Sequence, residues 1–119
     1  MSVQFQAEET PGYLAIKFTG ATMEAYGQFE LIAEHCGRAN KNKLLLDFTN
    51  THGGLSLAER YWLGDHAETF MFHNLIKVAV VVRPEQRDPQ KFGERVARNR
   101  WVNACVFTTA YDAKEWLLL

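Results

Sequence analysis

From Lys43 to Phe48 the chain reads Lys-Leu-Leu-Leu-Asp-Phe, a short continuous apolar run that ends beside a carboxylate. A strand with one wet face alternates apolar and polar residues, whereas a strand covered on both faces reads as an unbroken hydrophobic run, so this segment belongs in a sheet with structure above and below it. Lys77 to Val82 repeats the pattern with Val-Ala-Val-Val-Val, and Val102-Asn103-Ala104-Cys105-Val106-Phe107 supplies the last strand. Such runs are the appearance expected of parallel strands flanked by helices.

The segments between these runs carry helical signals. Tyr26, Phe29, Ile32, Ala33 and Cys36 recur at three- and four-residue spacing, which predicts a helix from about Met23 to Arg38 with Thr22 as N-cap. Thr49-Asn50-Thr51-His52-Gly53-Gly54-Leu55 reads as a turn, and Ser56-Leu57-Ala58-Glu59 forms a capping box that opens a helix to about His73. Asp88-Pro89 is an N-cap followed by proline at the first helical position, predicting a helix to about Arg100. Thr109 caps a final helix from Ala110, with Ala113, Trp116 and Leu117 facing inward. Upstream, alternating Val3 to Ala7, the Pro11-Gly12 turn and Tyr13 to Thr19 predict a hairpin. The order is β-β-α-β-α-β-α-β-α: an α/β fold with a mostly parallel sheet, an N-terminal antiparallel hairpin strand and flanking helices.

With 119 residues, the whole span 1–119 is expected to form a single domain. Hydrophobic residues at 47% and charged residues at 23% are those of a folding globular chain. The start has no basic segment followed by an apolar stretch, and no apolar run reaches the ~20 residues of a membrane span, so the expectation is a cytoplasmic protein and not an integral membrane one. Cys36 and Cys105 lack CxxC spacing and are read as two buried thiols.

The element order, the Leu-Leu-Leu-Asp-Phe strand and the closing Val-Phe-Thr-Thr-Ala-Tyr-Asp-Ala-Lys-Glu-Trp-Leu resemble the SpoIIAA-like family, related in fold to STAS and Sec14-type domains, across nearly the whole chain. The resemblance implies a STAS-like sheet and a regulatory or protein-interaction role. In STAS anti-sigma-factor antagonists a phosphorylated serine stands in an Asp-Ser-Ser-Gly motif after this strand. Here the region reads His52-Gly53-Gly54-Leu55-Ser56-Leu57, so the motif is absent and Ser56 alone comes near the phospho-acceptor position. The Sec14 likeness implies a carrier of apolar ligands as the alternative.

Read by their own chemistry, the candidate residues gather after the strand ends, where open α/β sheets bind ligands. Backbone N–H groups at Gly53-Gly54 and Ser56 would meet an anion at a helix start, although Ser56 also serves as N-cap and the spacing is not that of a P-loop. Arg83 precedes a basic helix on which Arg87, Lys91, Arg95 and Arg98 share one side. Lys77 to Arg100 holds seven basic and three acidic residues in a chain whose net charge is −1. That segment suits an acidic partner or an anionic headgroup; the acidic remainder of the chain argues against nucleic acid. His66 and His73 lie about 10.5 Å apart along a helix, too far for one zinc ion, so no metal and no cofactor is expected. Asp47 caps the loop that follows it or acts as a base, with capping the favoured reading. No GxSxG elbow or comparable nucleophile motif occurs. Tyr61, Trp62, Phe70, Met71 and Phe72 spread too widely around their helix for one core stripe, which a homodimer contact, an apolar pocket near Tyr26, Phe29 and Trp62, or a broad core would explain. The leading expectation is a non-enzymatic STAS-like interaction module contacting a regulatory protein through His52 to Ser56 and the basic helix. A carrier of an apolar or amphipathic ligand, using Trp62, Arg83, Arg87 and Lys91, comes second, and an enzyme without a recognisable motif third.

Overall fold

The computed structural model describes residues 4–21, 29–53, 77–86 and 103–119. These form five strands, β1 (Gln4–Glu9), β2 (Leu14–Ala21), β3 (Lys43–His52), β4 (Lys77–Val81) and β5 (Ala104–Phe107). With them come two helices, α1 (Phe29–Ala39) and α2 (Ala110–Leu117), and a single 3₁₀ turn at Pro84–Gln86. The strands lie side by side in chain order. β1 runs antiparallel to β2, and every later pairing is parallel. The predicted helices from Ser56 and from Asp88 lie outside the described residues.

The hairpin forms because Pro11-Gly12 turns the chain and Thr10 closes the loop. The Thr10 hydroxyl donates to the Tyr13 carbonyl at 2.8 Å and accepts from the Tyr13 N–H at 3.2 Å. A side chain at position 12 would have little room: a Cβ there would lie 2.5 Å from Leu118 Cδ2, so glycine lets the turn approach the end of α2.

Alternation along the strands sorts the core into two layers. One face carries Leu14, Ile16, Phe18, Leu44, Leu46, Phe48 and Val78, against which α1 lays Ile32 and Cys36. Phe18 is fully buried and stacks on Phe48 with ring centroids 4.8 Å apart. The opposite face carries Tyr13, Leu45, Ala79 and Val81, covered by Ala113 and Leu117 of α2. The apolar run of β3 is therefore buried on both faces, as its composition requires. α1 ends at Asn40, whose φ of 55° places it in the left-handed region, with the Lys41 N–H returning to the Cys36 carbonyl at 3.1 Å. α2 begins as predicted: Thr109 Oγ1 accepts from the Asp112 N–H at 3.2 Å.

Three expectations are corrected. β3 continues through Thr49-Asn50-Thr51-His52, where a turn was predicted, and β2 continues through Gly20 and Ala21 because these pair with Thr51 and His52. Cys36 is buried, but Cys105 is only half-buried, since β5 is a sheet edge whose four residues are all partly exposed. Finally, among the described residues the strand order is sequential, without the reversal that makes a switch-point crevice in doubly wound folds. What the parallel strands do share is one edge where β2 to β5 all end.

Candidate functional site

At that shared edge β3 outruns its neighbour. The pairing of β3 with β4 stops at Asp47 opposite Val81, while β3 runs on to His52. Two devices hold the overhang in strand conformation.

The first is a bulge. Lys17 pairs with Asp47 and Thr19 with Asn50, so one residue of β2, Phe18, faces two of β3, Phe48 and Thr49. A bulge redirects one backbone N–H away from the ladder. Asp47 Oδ1 accepts from the Thr49 N–H at 2.8 Å and from the Thr49 hydroxyl at 2.6 Å, which supplies the missing acceptor. The capping reading of Asp47 is thus the one the geometry bears out. The extra residue also reverses the side-chain phase, which turns Asn50 outward and Thr51 inward. Thr51 is 1% exposed, and its hydroxyl donates to the Phe48 carbonyl at 2.7 Å, so its burial leaves no hydroxyl unpaired.

The second device is Arg83. Carbonyl groups two residues apart on a strand point the same way, so Thr49 and Thr51 present theirs together beyond the end of β4. Arg83 Nη1 donates to the Thr49 carbonyl and, at 3.0 Å, to the Thr51 carbonyl, standing where the next strand would have been. Arg83 Nε donates to Glu85 Oε1 at 2.8 Å. Glu85 sits on the 3₁₀ turn, and its carboxyl is held below the usual carboxylate range first by its own backbone N–H and then by the Arg83 hydrogen bond. The result is a rigid strand end from which His52 and Gly53 project, both exposed, with Gly53 at φ +87°, a conformation that strains any other residue.

Of the residues predicted to form a site, His52, Gly53 and Arg83 lie together at this edge. Gly54, Ser56, Trp62, Arg87, Lys91 and Arg95 lie outside the described residues, as do His66, His73 and the expected pocket around Tyr26 and Trp62. Sequence reasoning overlooked Thr49, Thr51 and Glu85 as partners of Arg83. Only the Asp-x-Thr spacing of Asp47 and Thr49 carried a local signal, that of a side chain capping the backbone two residues on. Among the described residues no three His, Cys, Asp or Glu side chains are grouped to hold a metal ion, and no helix is long and apolar enough to cross a membrane.

No protein-family model matches the sequence, and no curated protein is significantly similar to it. Solved structures do match. An uncharacterised protein of the DUF3478 family with a SpoIIAA-like fold, from Shewanella loihica PV-4, is 27% identical. That match covers 98% of this chain and 93% of the other, with a TM-score of 0.55. An anti-sigma factor antagonist from Mycobacterium paratuberculosis is 13% identical with a TM-score of 0.64, covering 99% of this chain and 96% of the other, a likeness of fold alone. With its antiparallel first strand, sequential sheet and closing helix on the far face, the chain has a SpoIIAA-like fold of the STAS type.

Proposed function

We propose that the chain is a non-enzymatic regulatory module that binds another protein through the carboxyl edge of β3. Its contact edge runs from His52 to Ser56, and Arg87, Lys91 and Arg95 lend positive charge beside it. The observation that carries this reading is the locking of β3 to its last residue by Arg83, which presents exposed His52 and Gly53 without the entropy cost of ordering a loose loop on binding. The side chains there fit recognition better than catalysis: Asp47 Oδ1 is already engaged by Thr49, and Arg83 holds backbone carbonyls and Glu85. The anti-sigma factor antagonist that shares the fold supports a regulatory partner, although a shared fold does not by itself choose a function. The partner surface is acidic, to match the basic segment. Phosphorylation of Ser56 would add about two negative charges at this edge and switch the partner's affinity.

The test is quantitative affinity capture from the source cell with wild-type protein, His52→Ala, and the double variant Lys91→Glu, Arg95→Glu. A protein retained by the wild type and depleted by both variants, each with an unchanged Tm, is the expected result. An identical retained set in all three would sink the reading. Incubation with the cognate kinase separately decides the switch, because Ser56→Ala must abolish phosphate incorporation.

A further inference from the structure

On the face of the sheet that carries α2, that helix packs chiefly over β3, β4 and β5. Beside it lies a cleft of about 670 Å³, within the range of small-molecule sites. Its floor is Tyr13 with Ala15 and Lys17 of β2 and Leu45 and Asp47 of β3, and its wall is Ala110 and Lys114, one turn apart on α2. Alanine at both 15 and 110 is what leaves the slot open, since a larger side chain at either position would fill it. Glu8 lines it from β1, the outer strand.

The charges are the informative part. Lys17 and Lys114 are both exposed, and neither ammonium has an ion pair or hydrogen bond among the described residues. Lys17 even neighbours Asp47 across the strands without pairing to it, because the Asp47 carboxylate is turned to Thr49. Two unpaired cations therefore line a slot whose floor holds methyl and leucine carbons. Glu8 and Asp47 bring two carboxylates to the same slot, which disfavours a polyphosphate and leaves the attraction for a single acid group local to the two ammonium groups.

We propose that this cleft binds a small monoacidic ligand with a flat apolar body: the body lies on Ala15 and Leu45, and a carboxylate or phosphate monoester meets Lys17 and Lys114. The site shares Asp47 with the bulge of β3 but does not depend on the partner-binding reading. The test is an amide NMR titration of the full chain with four matched probes: phenylacetate, benzyl phosphate, benzyl alcohol and benzylammonium. One or both anions must shift the amides of residues 6–8, 13–17 and 110–114, and must bind about fivefold more tightly than benzyl alcohol. Benzylammonium must bind no more tightly than the alcohol. Whichever anion binds more tightly identifies the acid group. Ala15→Phe must abolish these shifts by filling the slot. Should that variant fail to fold, the surface double variant Lys17→Gln, Lys114→Gln carries the test, losing the preference for the anions while keeping the alcohol's affinity. Shifts confined to other residues, equal binding of anion and alcohol, or full anion affinity in the lysine double variant would overturn the proposal.

Discussion

The two faces of the sheet are built from the same five strands but to different rules. Under α1, β2 and β3 contribute Leu14, Ile16, Phe18, Leu44, Leu46 and Phe48, all large and buried, and Phe5 packs against them from the edge strand. Under α2, the same strands contribute Tyr13, Ala15, Leu45 and the carboxylate of Asp47, and α2 itself contributes Ala113 and Leu117. The first face has the volume and continuity of a domain core. The second, among the described residues, has fewer large buried side chains and gives way to a cleft of mixed apolar and charged lining. Among the described residues, the difference teaches that the α1 face gathers the larger buried side chains, whereas the α2 face keeps charged and small residues that a tightly packed core would not tolerate.

Breaking the α1 face should have the largest effect. Phe18→Ala removes a fully buried ring stacked on Phe48 and should cost about 3–5 kcal/mol, against about 2–3 kcal/mol for Leu117→Ala on the other face. Urea unfolding of both variants checks the order, and a larger loss at Leu117 would reverse the comparison. Next comes the edge shared by both faces. Arg83→Met leaves the Thr49 and Thr51 carbonyls without their cationic donor and should cost about 1–2 kcal/mol, a range set low because the guanidinium is partly solvated. Hydrogen exchange at Thr51 and His52 should quicken in this variant while that of Leu44 to Leu46 stays slow.

A smaller effect probes how α2 is fastened to its face. Lys77 Nζ donates to the Trp116 carbonyl at 2.7 Å and stands 5.0 Å from the centre of the Trp116 ring, so it caps the helix end and contacts the indole at once. Lys77→Met should lower stability by about 1 kcal/mol and alter Trp116 fluorescence. The smallest effect at neutral pH concerns the cysteines, which lie on opposite faces. Burial pushes the Cys36 thiol from 9.0 up to about 11. In the native protein at pH 8 a thiol reagent should modify half-buried Cys105 well before Cys36. Because the folded state holds that proton more tightly than the unfolded chain, the contribution of Cys36 is intact below pH 9 and is lost as pH rises toward 11. Cys36→Ala should flatten that part of the alkaline stability profile.

Much of the fold was legible in local patterns. The hairpin, the parallel strands β3, β4 and β5, the inward side of α1 and the Thr109 cap of α2 all follow from periodicity and turn chemistry within a few residues. The end of β3 was not. Thr49-Asn50-Thr51-His52 has the composition of a turn, and it is strand because it pairs with the end of β2, while Arg83, more than thirty residues away, donates to its carbonyls and Asp47 accepts at the bulge. Gly20 and Ala21 were missed for the same reason, since their strand conformation depends on pairing with that overhang. Arg83 was conspicuous as a cation near the expected ligand edge, but its attachment to backbone carbonyls could not be read from charge. Lys17, Lys114 and the cleft between them had no sequence signal, because an alternating strand and an amphipathic helix look the same whether or not their wet sides face a common slot.

By itself the sequence determined the layers. Continuous apolar runs demand cover on both sides, helical periodicity supplies that cover, and a turn at Pro11-Gly12 sends the first strand back antiparallel. The tertiary structure alone decided how far each strand runs and, among the described residues, which cations are spent on the fold and which stay unpaired. The physical reason is range: propensity and hydrophobic periodicity act over one or two turns of chain, whereas hydrogen bonds and unpaired charges at a sheet edge are settled between residues that meet only after the chain has folded.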